Sequence, residues 1–359
     1  MKKNLFTYIF YHKRSAFAII AGMPELRQNP ATKEWVIVAT ERAQRPEDLA
    51  PPKIEVKEEV KDHCPFCEGN EALTPPEILA YRTYGTKPNT PGWWIRIIPN
   101  KFPALVPQGN IRRSKQEEFF RYMDGVGEHE VIIESPRHDD TIALMEQKQV
   151  EEIFLAYRER FITLSQDPRF EMVMLFKNHG ISAGTSVRHP HSQVIATPIT
   201  PMHVRHRLEE AMRYFDDNGE CVFCTMLAKE LAFEERIIFN TDNFVAFVPF
   251  AASSPFEIWV LPKKHDSSFQ SITSERVKEL GYMMKMTLLS IRKTLKDPDY
   301  NYVMRSSPSH ERDVEYYHWH IQIVPRVSSV AGFELGSGIF INTVIPENAA
   351  RFLRSLPTA

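Results

Sequence analysis

No run of apolar residues in this chain approaches the roughly 20 that a membrane-crossing helix needs, so no membrane span is expected. An excess of either charge is missing too. Lys and Arg number 44 against 46 Asp and Glu, the formal net charge is −2, and both signs are spread along the 359 residues. With no basic stripe, binding to nucleic acid is not expected. Cysteine is scarce, and its four copies all fall in two Cys-x-x-Cys pairs, Cys64/Cys67 and Cys221/Cys224. So few cysteines in a large cytosolic chain do not make a disulfide framework. Neither pair sits in the strand-to-helix setting of a thioredoxin-type redox motif. Two thiolates at this spacing suit half of a tetrahedral zinc site, with two imidazoles to come from elsewhere.

What is present supports an ample core: 43% of residues are apolar, enough for one large or two ordinary domains. Residues 1–22 stand apart. Their apolar stretch is broken by His12, Lys13 and Arg14 before it makes a secretion signal. They are expected to be an extension, disordered or a mis-assigned start, on a cytoplasmic protein. Residues 51–62 are rich in Lys and Glu and read as an exposed connector.

The chemistry concentrates at residues 178–193, Asn-His-Gly-Ile-Ser-Ala-Gly-Thr-Ser-Val-Arg-His-Pro-His-Ser-Gln. The end of this stretch reads as a strand, where residues two apart share a face, so His189, His191 and Gln193 form one row. Gly180 and Gly184 allow the preceding loop backbone conformations that can turn N–H groups toward an anion. A His-x-His row by itself is compatible with a metal pair or a surface pair. Beside an anion-binding loop, a neutral imidazole suits attack on phosphorus.

The chain then repeats itself. A strand at 129–134 ends at Ser-Pro-Arg-His138-Asp, and one at 256–262 ends at Lys-Lys-His265-Asp. Residues 243–247 echo 101–105. Val150, Ile153, Phe154, Tyr157, Phe161 and Leu164 recur at helical spacing, as do Val277, Leu280, Met284, Leu288, Ile291 and Leu295. His318-Trp-His320-Ile-Gln322 is the counterpart of His189-Pro-His191-Ser-Gln193. The boundaries expected are 23–200 for the first half and 201–359 for the second. Each half supplies a Cys-x-x-Cys pair, a His just after a strand and the first His of its row. The duplication therefore predicts two structural zinc sites: Cys64, Cys67, His138 and His189, and Cys221, Cys224, His265 and His318. The separations agree, with 51 residues from His138 to His189 and 53 from His265 to His318. Four protein ligands leave a zinc no open position for water. Before His318 there is no glycine, and Glu311, Asp313 and Glu315 would repel phosphate, which leaves His191 as the nucleophile.

Asn-x-Gly-x-x-x-Gly-x-Ser-x-x-His-Pro-His-x-Gln resembles the active-site signature of the galactose-1-phosphate uridylyltransferase family, in the histidine-triad superfamily. Asn178, Gly180, Gly184, Ser186, His189, Pro190, His191 and Gln193 fill it. The resemblance runs from about Leu26 to the C-terminus. It implies an α+β fold of two histidine-triad-like halves sharing one mostly antiparallel sheet, with helices packed on one side, and a homodimer. It implies double displacement: His191 attacks the α-phosphorus of a nucleoside-diphosphate sugar, and a hexose 1-phosphate or phosphate then takes the nucleotidyl group. Ser186, Gln193 and N–H groups near Gly184 would hold the phosphoryl oxygens, with Asn178 in the same signature. By the same resemblance Arg42 and Arg45 reach the nucleotide phosphates, Asn100 and Phe102 the nucleoside, and Phe333 and Glu334 the sugar. Phe-Glu-x-Gly-x-Gly at 333–338 is similar to the ADP-glucose phosphorylase branch. The expected activity is UDP-glucose–hexose-1-phosphate uridylyl transfer. Adenylyl transfer from ADP-glucose to phosphate is the alternative, and a zinc-stapled nucleotide-binding protein without turnover is the third reading.

Overall fold

The structure is a computed structural model that describes residues 23–39, 46–49 and 63–355. The extension at 1–22, the connector at 51–62, and Arg42 and Arg45 lie outside these residues.

Ten strands form one antiparallel sheet. The first half contributes β3 (Leu79–Arg82), β4 (Trp93–Pro99), β7 (Glu128–Ile133), β8 (Met172–His179) and β9 (His191–Thr197). Two short strands, β5 (Ser114–Gln116) and β6 (Phe120–Tyr122), pair with each other outside it. The second half contributes β10 (Ile237–Asn240), β11 (Phe244–Phe247), β12 (Ile258–Pro262), β13 (Tyr300–Arg305) and β14 (His320–Pro325). The order β10-β11-β12-β14-β13-β8-β9-β7-β4-β3 is symmetric about the β13–β8 seam, with β13 matching β8, β14 matching β9 and β12 matching β7. The duplication is thus one sheet folded from two copies. The register corrects one echo. β11 pairs with β12 as β4 pairs with β7, so the counterpart of 244–247 lies within β4 and residues 101–105 lie beyond that strand. The echo matched residue types, whereas the hydrogen-bond ladder sets the correspondence.

The two long helices are α1 (Gln147–Ser165) and α4, the fourth in chain order (Ser274–Leu295). Every residue of the two expected apolar stripes is buried. The stripes lie on one face of the sheet against Ile95, Ile97, Ile132, Val194, Ala196, Val260, Ile321 and Ile323. Each such side chain contributes about 1.5–3 kcal/mol relative to exposure. Helix α4 starts where the Thr273 hydroxyl accepts from Arg276 N–H, and it carries Arg292 and Lys293 in its last turn, both favourable to the helix dipole. It crosses α1 at Gly281, where a Cβ would come within 3.2 Å of Glu151 Cα. A further pair, α2 (Met202–Asn218) and α3 (Val222–Phe233), covers the other face of the second half, packing Val204, Leu208, Phe223 and Met226 on Val245, Phe247, Trp259 and Leu261. One-sided packing therefore describes the long helices, and the first half keeps that other face more open.

Three strands make a small second sheet. β1 (Glu25–Gln28) pairs with β2 (Trp35–Val38), which pairs in parallel with β15 (Phe340–Asn342). Before β15 comes the short helix α5 (Gly332–Ser337), and after it α6 (Pro346–Arg354). Among the described residues no helix is long and apolar enough to cross a membrane.

Candidate active site and metal centres

Strand β9 opens at His191. Its alternation sends Ser192, Val194 and Ala196 toward α1 and turns His191 and Gln193 to the opposite face. Beneath the row lies a buried polar network. Glu134 accepts from Lys177 Nζ, Ser192 Oγ and Tyr157 OH, and Tyr302 OH reaches Tyr157 OH at 2.7 Å. Burial works to raise the Glu134 carboxyl, but the Lys177 charge and these hydrogen bonds outweigh it and hold the carboxyl below the ordinary range. Lys177 also donates to the His191 carbonyl at 3.0 Å, so the network anchors the start of β9.

The His191 ring is 7% exposed. Its Nδ1 lies 2.8 Å from the His189 carbonyl. A carbonyl only accepts, so Nδ1 carries the hydrogen and Nε2 keeps its lone pair. Burial pushes the imidazole below its usual value, against the lesser effect of that carbonyl, and favours the neutral ring. Phe66, between the cysteines of the first pair, packs its edge on His191 at 5.2 Å between ring centroids.

The glycine loop adopts the conformations its residues allow. Gly180 has φ +86°, and a Cβ there would fall 1.7 Å from Asp299 Oδ1. Asp299 in turn accepts from the Ser182 N–H and hydroxyl. Asn301, on β13 of the second half, donates to Asn178 Oδ1 at 2.7 Å and to the Ala183 carbonyl at 2.9 Å. The second half therefore shapes the first half's loop. Gly184 is left-handed at φ +89°, and its N–H donates to the Ile181 carbonyl at 2.9 Å. That donor is spent inside the loop, so Gly184 shapes the turn and any anion donors must come from its neighbours. Ser186 is exposed on the segment leading into β9.

His129, which the motif did not single out, stands beside Gln193. Its Nδ1 accepts the Ala104 N–H at 3.1 Å, so the ring hydrogen sits on Nε2 and is donated to Gln193 Oε1 at 2.7 Å. The Gln193 oxygen is thereby occupied, and its NH₂ is the end left to face a ligand. Asn100 Nδ2 lies 3.1 Å from the same Nε2, a donor facing a donor in this tautomer; the shorter bond to Gln193 decides it. Asn100 Oδ1 accepts the Phe102 N–H, and Phe102 is 83% exposed. Asn100, Gln193 and the His191 strand therefore come together. The only advance signal for His129 was its place on an expected strand; its partner depended on the register of β7 against β9.

Both four-residue metal sets assemble as expected. In each, one ligand atom per residue lies within 4.8 Å of the others. Cys67 Sγ is 3.5 Å from Nδ1 of both His138 and His189, and Cys224 Sγ is 3.3 Å from His265 Nδ1 and 3.4 Å from His318 Nδ1. A tetrahedral zinc with bonds of about 2.3 Å to sulfur and 2.0–2.1 Å to nitrogen would separate S and N by about 3.5 Å. Two of the outer ring nitrogens face carbonyls, His189 Nε2 at 2.7 Å from Ser135 and His265 Nε2 at 3.2 Å from Val314, which leaves Nδ1 as the ligand atom. The residues present fit a metal in both centres.

The second row is closed. His320 is fully buried, with Trp259 stacked on it at 4.5 Å and Phe223 at 5.3 Å. The chain before His318 is stitched into the body through Ser307 N–H to the Ser267 carbonyl and Ser309 N–H to the Glu171 carbonyl. Phe333 and Glu334 lie on α5, where Phe333 is half exposed and Glu334 accepts the Ala331 N–H. Their helix leads into β15 on the small sheet, and no bond among those of the described residues joins them to the His191 strand within one chain.

The comparisons agree over nearly all of the chain. The family model for the N-terminal domain of galactose-1-phosphate uridyl transferase matches residues 16–201, and that for its C-terminal domain matches residues 207–359. An ADP-glucose phosphorylase of Arabidopsis thaliana is 37% identical over 93% of both chains. A galactose-1-phosphate uridylyltransferase of Thermotoga maritima is 31% identical over 92% of this chain and 98% of its own. The crystal structure of the Arabidopsis ADP-glucose phosphorylase with bound ADP-glucose superposes with a TM-score of 0.77, covering 93% of this chain and 100% of that one at 36% identity. With both domain models matched end to end over a duplicated sheet, this chain belongs to the galactose-1-phosphate uridyl transferase family.

Proposed function

We propose that the chain is a nucleotidyltransferase that works through a covalent nucleotidyl-histidine on His191. The observation that carries this reading is the His191 ring: Nδ1 is tied to the His189 carbonyl, and Nε2 is left with its lone pair beside a glycine loop. Nε2 attacks the α-phosphorus of a nucleoside-diphosphate hexose, a P–N bond forms, and the P–O bond to the hexose 1-phosphate breaks. The acceptor phosphate oxygen then attacks the same phosphorus and releases the imidazole. Gln193 NH₂ and Ser186 hold the phosphoryl oxygens as charge moves among them. The leaving phosphate is a weak base, so the step needs no strong general acid. Phe102 offers a face to the base, and Arg42 and Arg45 approach the phosphates. Phe333 and Glu334 contact the hexose, and the enzyme works as a homodimer.

Two donors are weighed. UDP-glucose with hexose 1-phosphate is the reading that the family name favours. ADP-glucose with phosphate is supported by the 37% identity to the Arabidopsis enzyme, against 31% to the Thermotoga one, and by Phe-Glu-x-Gly-x-Gly at 333–338. We take the second as the better supported. Zinc suits both Cys₂His₂ centres, which staple the cysteine loops to the sheet and set Phe66 against His191. A cytoplasmic location goes with four thiols kept for metal. The test is incubation with each nucleotide sugar and mass measurement of the intact protein. An adenylyl adduct lost in His191→Asn is expected; a uridylyl adduct alone would move the assignment to the other donor, and no adduct with either would overturn the covalent mechanism.

A further inference from the structure

On the same face of the sheet as His191, but in the second half, a cavity of about 270 Å³ opens between α2, the small sheet and strands β12, β14 and β13. Its walls include Glu34, Arg207, Trp259, Arg305 and Gln322. Two guanidiniums dominate it. Arg207 is nine-tenths buried, and its Nη1 has no hydrogen-bond partner. Arg305 donates through Nε and Nη2 to Gln322 Oε1 at 3.2 and 3.0 Å. Burial and then the charge of Arg207 push Arg305 down to about 10, the mark of like charges held together away from water.

The acids nearby answer this charge only in part. Glu257 already accepts from Trp259 Nε1, Gln322 Nε2, and the Ser253 N–H and hydroxyl, so both its oxygens are filled. Glu34 is part exposed at the rim, takes the Thr32 hydroxyl, and lies 3.6 Å from Arg207 Nη2. A buried guanidinium N–H without an acceptor costs stability unless a small shift of its side chain brings a ligand to it. The open groups are donors, so the ligand is an oxyanion and not a cation. A cavity below the roughly 300–1,000 Å³ of pockets for larger ligands admits a phosphate or a small phosphate monoester.

We propose that this cavity is a second, non-catalytic anion site, in which Arg207 and Arg305 together clamp a phosphate group. Planar guanidiniums suit two-point recognition of phosphate oxygens. The site does no chemistry of its own, because His320 beneath it is covered by Trp259. The phosphate belongs either to inorganic phosphate or to a sugar phosphate. The rung Gln322–Val303–Phe176–Gln193 sets the cavity three strands, or about 14 Å, from the catalytic row.

The experiment titrates the full chain with inorganic phosphate by calorimetry and compares wild type, Arg207→Gln and Glu34→Gln. Arg207→Gln is expected to weaken one class of phosphate sites at least tenfold and leave nucleotidyl transfer within twofold. Glu34→Gln, at the exposed rim, is expected to tighten the same class severalfold, and it tests the site even where the buried change impairs folding. Isotherms unchanged in both variants overturn the proposal. Glucose 1-phosphate binding tenfold tighter than phosphate assigns the site to a sugar phosphate, binding no tighter assigns it to free phosphate, and no binding of either overturns it.

Discussion

His191 and His320 occupy matching places in the two halves. Each is two residues past a metal-set histidine, each bonds the preceding histidine's carbonyl through Nδ1, and each meets the phenyl ring of its half's Cys-x-x-Cys loop. They part at the neighbouring strand. Val131 faces Gln193 across β7–β9, and Trp259 faces Gln322 across β12–β14. A valine lays no ring on His191, whereas the indole lies flat on His320. The flanking pairs diverge as well. His129 donates to the Gln193 oxygen and leaves its NH₂ outward, while Glu257 takes the Gln322 NH₂ and leaves the oxygen to Arg305. One framework thus yields a row beside a glycine loop and a row built into the core. Backbone and metal geometry are shared, and a few side chains on adjacent strands decide the chemistry.

The largest expected break in the comparison comes from exchanging the imidazoles. His191→Asn should lower turnover by at least ~10⁴-fold, while His320→Asn should leave turnover per folded molecule within a few-fold, measured as product formation against folded protein. The metal sets come next. Cys64→Ser and Cys221→Ser should each reduce bound metal from two to one per chain, seen by elemental analysis, and cost on the order of 3 kcal/mol of stability. Only the first should also impair transfer, because its loop carries Phe66 against His191. Gly180→Ala should cost about 3 kcal/mol in denaturant melts, combining a disfavoured φ with the collision against Asp299, and lower turnover with it. Ser306→Ala, in the closed second loop, should cost about 1 kcal/mol. The smallest effects on turnover sharpen the contrast between the glutamines. His129→Ala should lower kcat by about 10–100-fold with little change in stability, as expected for loss of one oriented donor to the phosphoryl group. Glu257→Gln should leave kcat unchanged.

Much of this comparison was legible in the residues. Two Cys-x-x-Cys pairs with histidines at matched offsets named eight metal-set residues, and all eight assemble. The stripes of α1 and α4 were legible because helical periodicity is local. The echo of 101–105 by 243–247 misled, since short segments match by composition while ladder register is set by partners far away. His129 was missed for the same reason, as was the Glu134 network, whose members come from five separate elements or their edges. A helical stretch opening at Cys221 was legible and is α3, but the placement of α2 and α3 on the second face was beyond reach, because burying a stripe does not say against which face.

By itself, the order of residues determined the duplication and the metal sets and singled out His191 as the candidate nucleophile, because each depends on residue type at fixed short spacing. Tertiary structure alone decided that β8 and β13 join the halves into one sheet, that Asn301 and Asp299 of the second half hold the first half's glycine loop, and that Trp259 covers His320. Those outcomes rest on contacts between residues more than a hundred positions apart or on adjacent strands, where packing and register, not local pattern, set which side chains meet.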